Sequence, residues 1–399
     1  MPTDSFNEHS VVCDKTAFKY YRTPPRYLGA CPAPPLFEPD PRYRKLRTAP
    51  LITEVLGLPL HVLTDDVKKR SHGETLRFHV IDPELRLGHT RETVHGFRLA
   101  SPELTLFTLS RTLTFNQLVM AMYEMCGRFT LYEPTQRLEA ELVMRNASEL
   151  FDGWSRVVSE SGKPISLWSR PPLVSLAELK DFASEIEGTR GARLFSRAVD
   201  CVSGMTASPL EAQLSMLLWM SPNLGGRGYR NIQNNCHIKL SKSAGLLTDM
   251  HSAEVDLRVL SPDGTQEWML ECQGKAIHDR VGAGTRDALR ATALQSMGLN
   301  VTMVTSSQIH DQDKFAVLLD MLSEKLGIPF PDKTGRQIIA ENNLRADIFG
   351  DWLALSNEPT PAELKARRLN NRARREHGHA PKRQKAPLEQ RMGSGSRTR

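Results

Sequence analysis

Asp256 and Glu271 stand where a hairpin would set two acids side by side. They lie equally far from Pro262-Asp263-Gly264, residue types that favour a tight reversal. Residues 253–260 alternate as a strand, with Val255, Leu257 and Val259 on one face and Asp256 and Arg258 on the other. Residues 268–273 read as its partner strand. Side chains two apart on a strand face the same way, so Glu271, Gln273 and Lys275 share a side and Cys272 points away. Two carboxylates held this close repel unless a cation joins them. Magnesium, or manganese in its place, takes such hard oxygen ligands and keeps several waters. It would activate one water and stabilise charge building on a phosphate ester. Gln273 offers a neutral amide to water or substrate, and Lys275 a positive charge. The competing reading is a solvated hairpin face with ordinary acids.

The elements around this pair are legible as well. Ser208-Pro209-Leu210-Glu211 carries a helix-start signature: Ser as cap, Pro at the first helical position, an acid in the first turn. Leu210, Leu214, Leu217 and Leu218 give that helix an apolar face. Residues 286–297 read as a helix closed by Gly298, 301–305 as a strand and 315–326 as a closing helix. Ile232 and Ile238 belong to a poorly regular strand. The expected class is α/β, a C-terminal mixed sheet flanked by helices with a smaller α+β N-terminal domain.

Toward the N-terminus the signals thin out. Residues 1–48 are proline-rich, with Pro24, Pro25, Pro32, Pro34, Pro35, Pro39 and Pro41, and are expected to be largely irregular. An α+β region spans 51–157. It has short strands at 58–63 and 75–81, a third at 97–99, a capped helix from Ser101-Pro102-Glu103 and a helix over 115–126 closed by Gly127. A helical connection spans 158–203, where Ser175 and Glu178 form a capping-box pattern. The catalytic module is bounded at 204–328, and a basic disordered tail at 359–399.

The charge is uneven. The net +6 is carried by the tail: residues 365–399 hold twelve Lys or Arg against two Glu, so the rest of the chain is net negative. Arg372, Arg374, Arg375, Lys382 and Arg383 are candidates to meet a phosphate backbone, and a solubilising end is the alternative. Six cysteines form no CxxC pair, which excludes a zinc knuckle and a disulfide scaffold. No apolar run is long enough for a membrane span, and residues 1–19 lack the apolar core of a signal peptide. A cytoplasmic protein is expected. There is no GxxxxGK[ST] run and no HExxH spacing, so neither P-loop ATP hydrolysis nor that type of zinc peptidase is supported.

With these motifs in view, residues 204–308 resemble the very-short-patch-repair-like endonuclease domains of the PD-(D/E)XK nuclease superfamily. The matching features are Ser208-Pro209-Leu210-Glu211 on a first helix, Glu254-Val255-Asp256 on a strand and Glu271-Cys272-Gln273-Gly274-Lys275 on the next. His278, Asp287, Arg290, Gly298, Val304-Thr305 and Gln308 follow. The resemblance implies that Glu211 is the helix carboxylate near the metal and that Asp256 and Glu271 bind it. Gln273 stands where the motif has lysine, and Lys275 lies on the same face. His278 and Arg290 are implied near the nucleic acid.

Residues 58–109 resemble, on Leu58-Pro59-Leu60-His61-Val62-Leu63, Arg70, Gly96-Phe97 and Ser101-Pro102-Glu103-Leu104-Thr105, the middle portion of AbiE-type antitoxin and regulator proteins. Two functions are therefore expected. One is a magnesium-dependent DNA endonuclease. The other is a non-catalytic DNA-binding regulator or phage-defence component on a degenerate nuclease scaffold, with a protein partner in a defence or toxin–antitoxin system.

Overall fold

The computed structural model describes residues 10–35, 44–69, 73–145, 153–159, 161–273 and 283–360, with side chains in the last segment from 288 onward. It is a mixed α/β structure in which helices flank three sheets. Residues to Ser356 form one compact unit.

The first sheet has the order β3-β2-β1-β5-β4. Its strands are β1 (Val11–Val12), β2 (Leu60–Thr64), β3 (Leu76–Val80), β4 (Thr90–Glu92) and β5 (Arg98–Ala100). The expected strands at 58–63 and 75–81 are present within about two residues as β2 and β3, and they pair in parallel. The second sheet, β6-β8-β7, comprises β6 (Phe129–Leu131), β7 (Ser155–Val158) and β8 (Pro164–Ser169). The expectation of a helical connection over 158–203 is corrected by β8, which occupies its first part. The helices Leu176–Glu185 and Ala192–Val199 follow, with the Ser175–Glu178 capping box formed.

The third sheet carries the two acids. Its order is β12-β11-β10-β9, from β9 (Ile232–Lys239), β10 (Ser252–Leu260), β11 (Glu267–Gln273) and β12 (Asn300–Thr305). The hairpin forms as its pattern predicts. Gly264 takes φ 73, a left-handed conformation that costs glycine nothing, and Leu257 pairs with Leu270. β11 and β12 are parallel, which makes the sheet mixed. Helix Pro209–Trp219 starts at Ser208, whose hydroxyl accepts from the Glu211 N–H at 3.2 Å.

Among the described residues, the N-terminal stretch expected to be irregular is ordered into regular elements. Val11 and Val12 form the middle strand of the first sheet, and helices run over Asp14–Arg22 and Pro25–Ala30. Two of the prolines open a helix instead of blocking one: Pro24 is the cap and Pro25 the first helical residue, where no N–H is needed. Residues 36–43 lie outside the described residues.

The expected separation at 203/204 is also crossed by packing. One core cluster runs from Val11 and Phe18, through the buried helix Phe115–Cys126, to Leu257, Leu270, Val304 and Ile348. Helix Gly335–Ile348, beyond the expected module, contributes Leu344 and Ile348 to it. The six cysteines are free thiols. Among the described residues no helix is long and apolar enough to cross a membrane.

A buried ion pair joins the beginning, middle and end of this unit. Arg22 donates from Nε to Glu124 Oε1 at 2.8 Å and from Nη2 to Oε2 at 2.6 Å, and the two side chains are 3% and 0% exposed. Its guanidinium also donates to the carbonyls of Trp352 and Leu353. Removing one partner strands the other charge in the interior. Arg22→Met is therefore expected to cost about 3–5 kcal/mol, read as a lower urea midpoint at unchanged slope. Adding Glu124→Met should restore part of the loss. A single variant as stable as the wild type would contradict this.

Candidate functional site

Glu211, Asp256 and Glu271 come together where helix Pro209–Trp219 meets the β10–β11 hairpin. The register that pairs Leu257 with Leu270 sets Asp256 across from Glu271. Each acid is held by protein donors. Asp256 Oδ2 accepts the Cys272 N–H at 2.7 Å, so its carboxylate turns toward the neighbouring strand. Glu271, 4% exposed, receives Arg290 Nη2 at 2.9 Å. Arg290, expected near nucleic acid, reaches this carboxylate from helix Ala283–Ser296.

Glu211 is buried, and its Oε2 accepts from the Ala207 N–H at 2.7 Å and from Asn235 Nδ2 at 3.0 Å. Burial first, and the negative charge of Asp256 second, push its carboxyl up from 4.5 to about 8. The acid therefore holds a proton at neutral pH. Burial and then the charges of Asp256, Glu211 and Glu271 raise the Cys272 thiol well above the ordinary value, which disfavours the thiolate.

Two residues that sequence reasoning missed organise this centre. Asn235 on β9 has φ 45, a left-handed conformation that asparagine tolerates better than most residues. Its amide nitrogen holds both Glu211 and the Met205 carbonyl. Arg128, in the turn after the central helix, donates to Asn235 Oδ1 at 2.6 Å and pairs with Glu254. Neither belongs to a spaced motif. The one sequence signal was Gly127, read only as a helix end. A Cβ there would lie 2.7 Å from the carbonyl oxygens of Thr206 and Tyr123, so glycine is what permits the turn to approach residue 206.

Gln273 ends β11, half-buried and paired in register with Thr305. Lys275, His278 and the side chain of Asp287 lie outside the described residues, as do Arg372, Arg374, Arg375, Lys382 and Arg383.

A second group lies where the helix Asp14–Arg22 starts against the first sheet. Among the described residues, Asp14, His61 and His79 are the three whose potential ligand atoms all fall within 4.8 Å of one another. Burial pushes His79 down to about 4, with Asp14 opposing the shift and His61, Arg111 and Arg77 adding to it. The imidazole is therefore neutral at neutral pH. No spacing could have announced this group, because its members come from three separate elements and Asp14 falls in the stretch read as irregular.

Glu211 sets a pH dependence. Its proton is held more tightly in the folded chain than in the unfolded one. The stability this brings is complete below about 4.5 and is lost as pH rises through about 8. Glu211→Gln, which cannot ionise, is expected to gain on the wild type by a few kcal/mol between about pH 5 and about pH 9 in urea unfolding. A constant difference across that range would contradict the raised carboxyl. Comparison of the chain with protein-family models, with curated proteins and with solved structures finds no match.

Proposed function

We propose that this chain is a divalent-metal-dependent DNA endonuclease with Glu211, Asp256 and Glu271 as its acidic centre, on a restriction-endonuclease-like core. The observation that carries the reading is the hairpin register that sets Asp256 across from Glu271, next to the buried Glu211, whose carboxyl is raised by burial and by Asp256. Burial first, and repulsion from the nearby charge of Asp256 second, leave Glu211 holding its proton. A hard cation relieves that repulsion.

All three side chains offer carboxylate oxygen, the donor that magnesium and manganese take, and because their oxygens do not all lie within 4.8 Å of one another a bound ion would have to draw them together. Glu211, Asp256 and Glu271 would hold the ion, which when bound would supply a water of lowered pKa and charge stabilisation at the phosphate. The remaining roles fall to the chain's own groups. Asn235 and Ala207 hold the Glu211 carboxyl in place through two N–H donors. The Cys272 N–H fixes Asp256. Arg290 neutralises Glu271 at 2.9 Å and has a guanidinium suited to a phosphate oxygen. Gln273, on the face of Glu271, offers an amide to water or phosphate.

One observation favours a second reading. Glu271 is already balanced by Arg290, and Gln273 stands in the place of the motif's lysine. A DNA-binding regulator without cleavage, of the antitoxin or phage-defence kind, would keep such a centre as scaffold, and the basic residues 365–399 would add phosphate affinity.

Nicking of supercoiled DNA in magnesium or manganese tests both. The nuclease reading expects cleavage that Asp256→Asn and Glu271→Ala each lower by roughly 100-fold, with magnesium binding weakened in calorimetry. Cleavage that survives both substitutions sinks it. Salt-dependent DNA binding with no cleavage in either ion marks the regulator instead.

A further inference from the structure

Asp14 enters its helix under constraint. It follows β1 by two residues and has φ 50, uncommon for any residue but glycine. Its backbone N–H donates to Thr108 Oγ1 at 3.0 Å. Its Oδ1 accepts from the Lys15 N–H at 2.7 Å and from Thr112 Oγ1 at 3.1 Å. The residue is 0% exposed, and its other oxygen, Oδ2, is buried with no hydrogen-bond donor. A buried carboxylate oxygen left in that state costs free energy unless something positive meets it.

What faces that carboxylate is a pair of imidazoles. His61 lies on β2 and His79 on β3, and the parallel register pairs His79 with Leu63, so the two histidines sit two residues apart on one face. His79 Nδ1 is 3.9 Å from Asp14 Oδ2, and His61 Nδ1 is 4.0 Å from Asp14 Oδ1. These distances are too long for hydrogen bonds. They fall within the roughly 4.2 Å that two donors can span across one ion with bonds near 2.1 Å. His61 Nδ1 and His79 Nε2 share a hydrogen bond at 2.7 Å, which an entering ion would replace.

The backbone fixes this arrangement. The His61 N–H donates to Thr16 Oγ1 at 2.9 Å, and its carbonyl accepts the Cys13 N–H at 2.9 Å. The turn carrying Asp14 is thus stitched to the strand carrying His61.

The geometry points to a binding site for a zinc-class divalent cation with Asp14, His61 and His79 as its three protein ligands. Magnesium is the wrong ion for it, because two of the three donors are nitrogen. Zinc, cobalt and ferrous iron gain from all three. Three protein ligands leave a further position for water or an anion. The site is separate from the acidic centre and does not depend on the nuclease reading.

Cobalt is the direct probe. Untagged full-length protein, stripped with a chelator, is titrated with Co2+ in visible absorption and with Zn2+ in calorimetry. One ion per chain is expected, with ligand-field bands, no thiolate charge-transfer band and a rise in the thermal midpoint on loading. Asp14→Asn and His79→Gln should each weaken binding by roughly tenfold or more. Asp256→Asn should leave the cobalt spectrum unchanged, which keeps this result independent of any nuclease assay. His79, 12% exposed, is the position where substitution disturbs folding least. A wild type that gives no cobalt bands, or His79→Gln that binds as tightly, overturns the site.

Discussion

The contact between Arg22 and Glu124 is the constraint from which the rest of the architecture follows. It is bidentate and buried, and both partners make further hydrogen bonds to backbone and hydroxyl groups. Arg22 reaches the carbonyls of Trp352 and Leu353, and Glu124 also accepts from Thr130 Oγ1 at 2.6 Å. A pair of this kind adds little net stability over well-packed apolar side chains. Its effect is on arrangement: the first long helix, the central helix and the end of the compact unit cannot separate without baring a charge. Because those three segments are locked together, the sheet that carries His61 and His79 and the sheet that carries Asp256 share one core.

From that node the constraint passes directly to the acidic centre. The helix bearing Glu124 ends at Gly127, where the backbone passes too close to Thr206 and Tyr123 for a side chain. The Arg128 N–H then donates to the Thr206 carbonyl at 2.8 Å, just ahead of the helix that bears Glu211. Its side chain grips Asn235, and Asn235 grips Glu211. Four residues in contact thus connect the structural ion pair to the carboxyl whose proton affinity is most perturbed at the centre. The first half of the chain is a supporting shell for the second half's site, which is why a boundary near residue 204 does not divide them.

The parts of this design legible in sequence were those written locally. The β10–β11 hairpin announced itself through alternation and its Pro-Asp-Gly turn, and that was enough to pair Asp256 with Glu271. Ser101, Ser175 and Ser208 each signalled a helix start that the structure contains. The parts that escaped depend on distance. A two-residue strand such as Val11–Val12 has no period to detect, yet it sits at the middle of a sheet because Leu63 and Leu99, far along the chain, pair with it. Asn235 looked like one polar residue among several in an uneven strand, and its role rests on a left-handed turn of backbone that composition does not encode. β7 and β8 were lost in a stretch whose helix signals were stronger.

The two clusters also differ in how they handle buried negative charge. At the acidic centre the chain supplies arginines: Arg290 balances Glu271, Arg128 balances Glu254, and Glu211 is left to neutralise itself by keeping a proton. A proton and a divalent cation compete for the same oxygen, so an ion bound at this centre would have to displace the proton that Glu211 keeps, against a carboxyl already aligned by Asn235 and Ala207. At Asp14 the chain supplies no cation in hydrogen-bond contact with Oδ2 and places neutral nitrogen before it instead. The same physical demand, a carboxylate out of water, is met by hard oxygens and arginine in one sheet and by imidazole in the other. That difference in donor chemistry is what would let one chain sort a hard ion from a softer one without any change of fold.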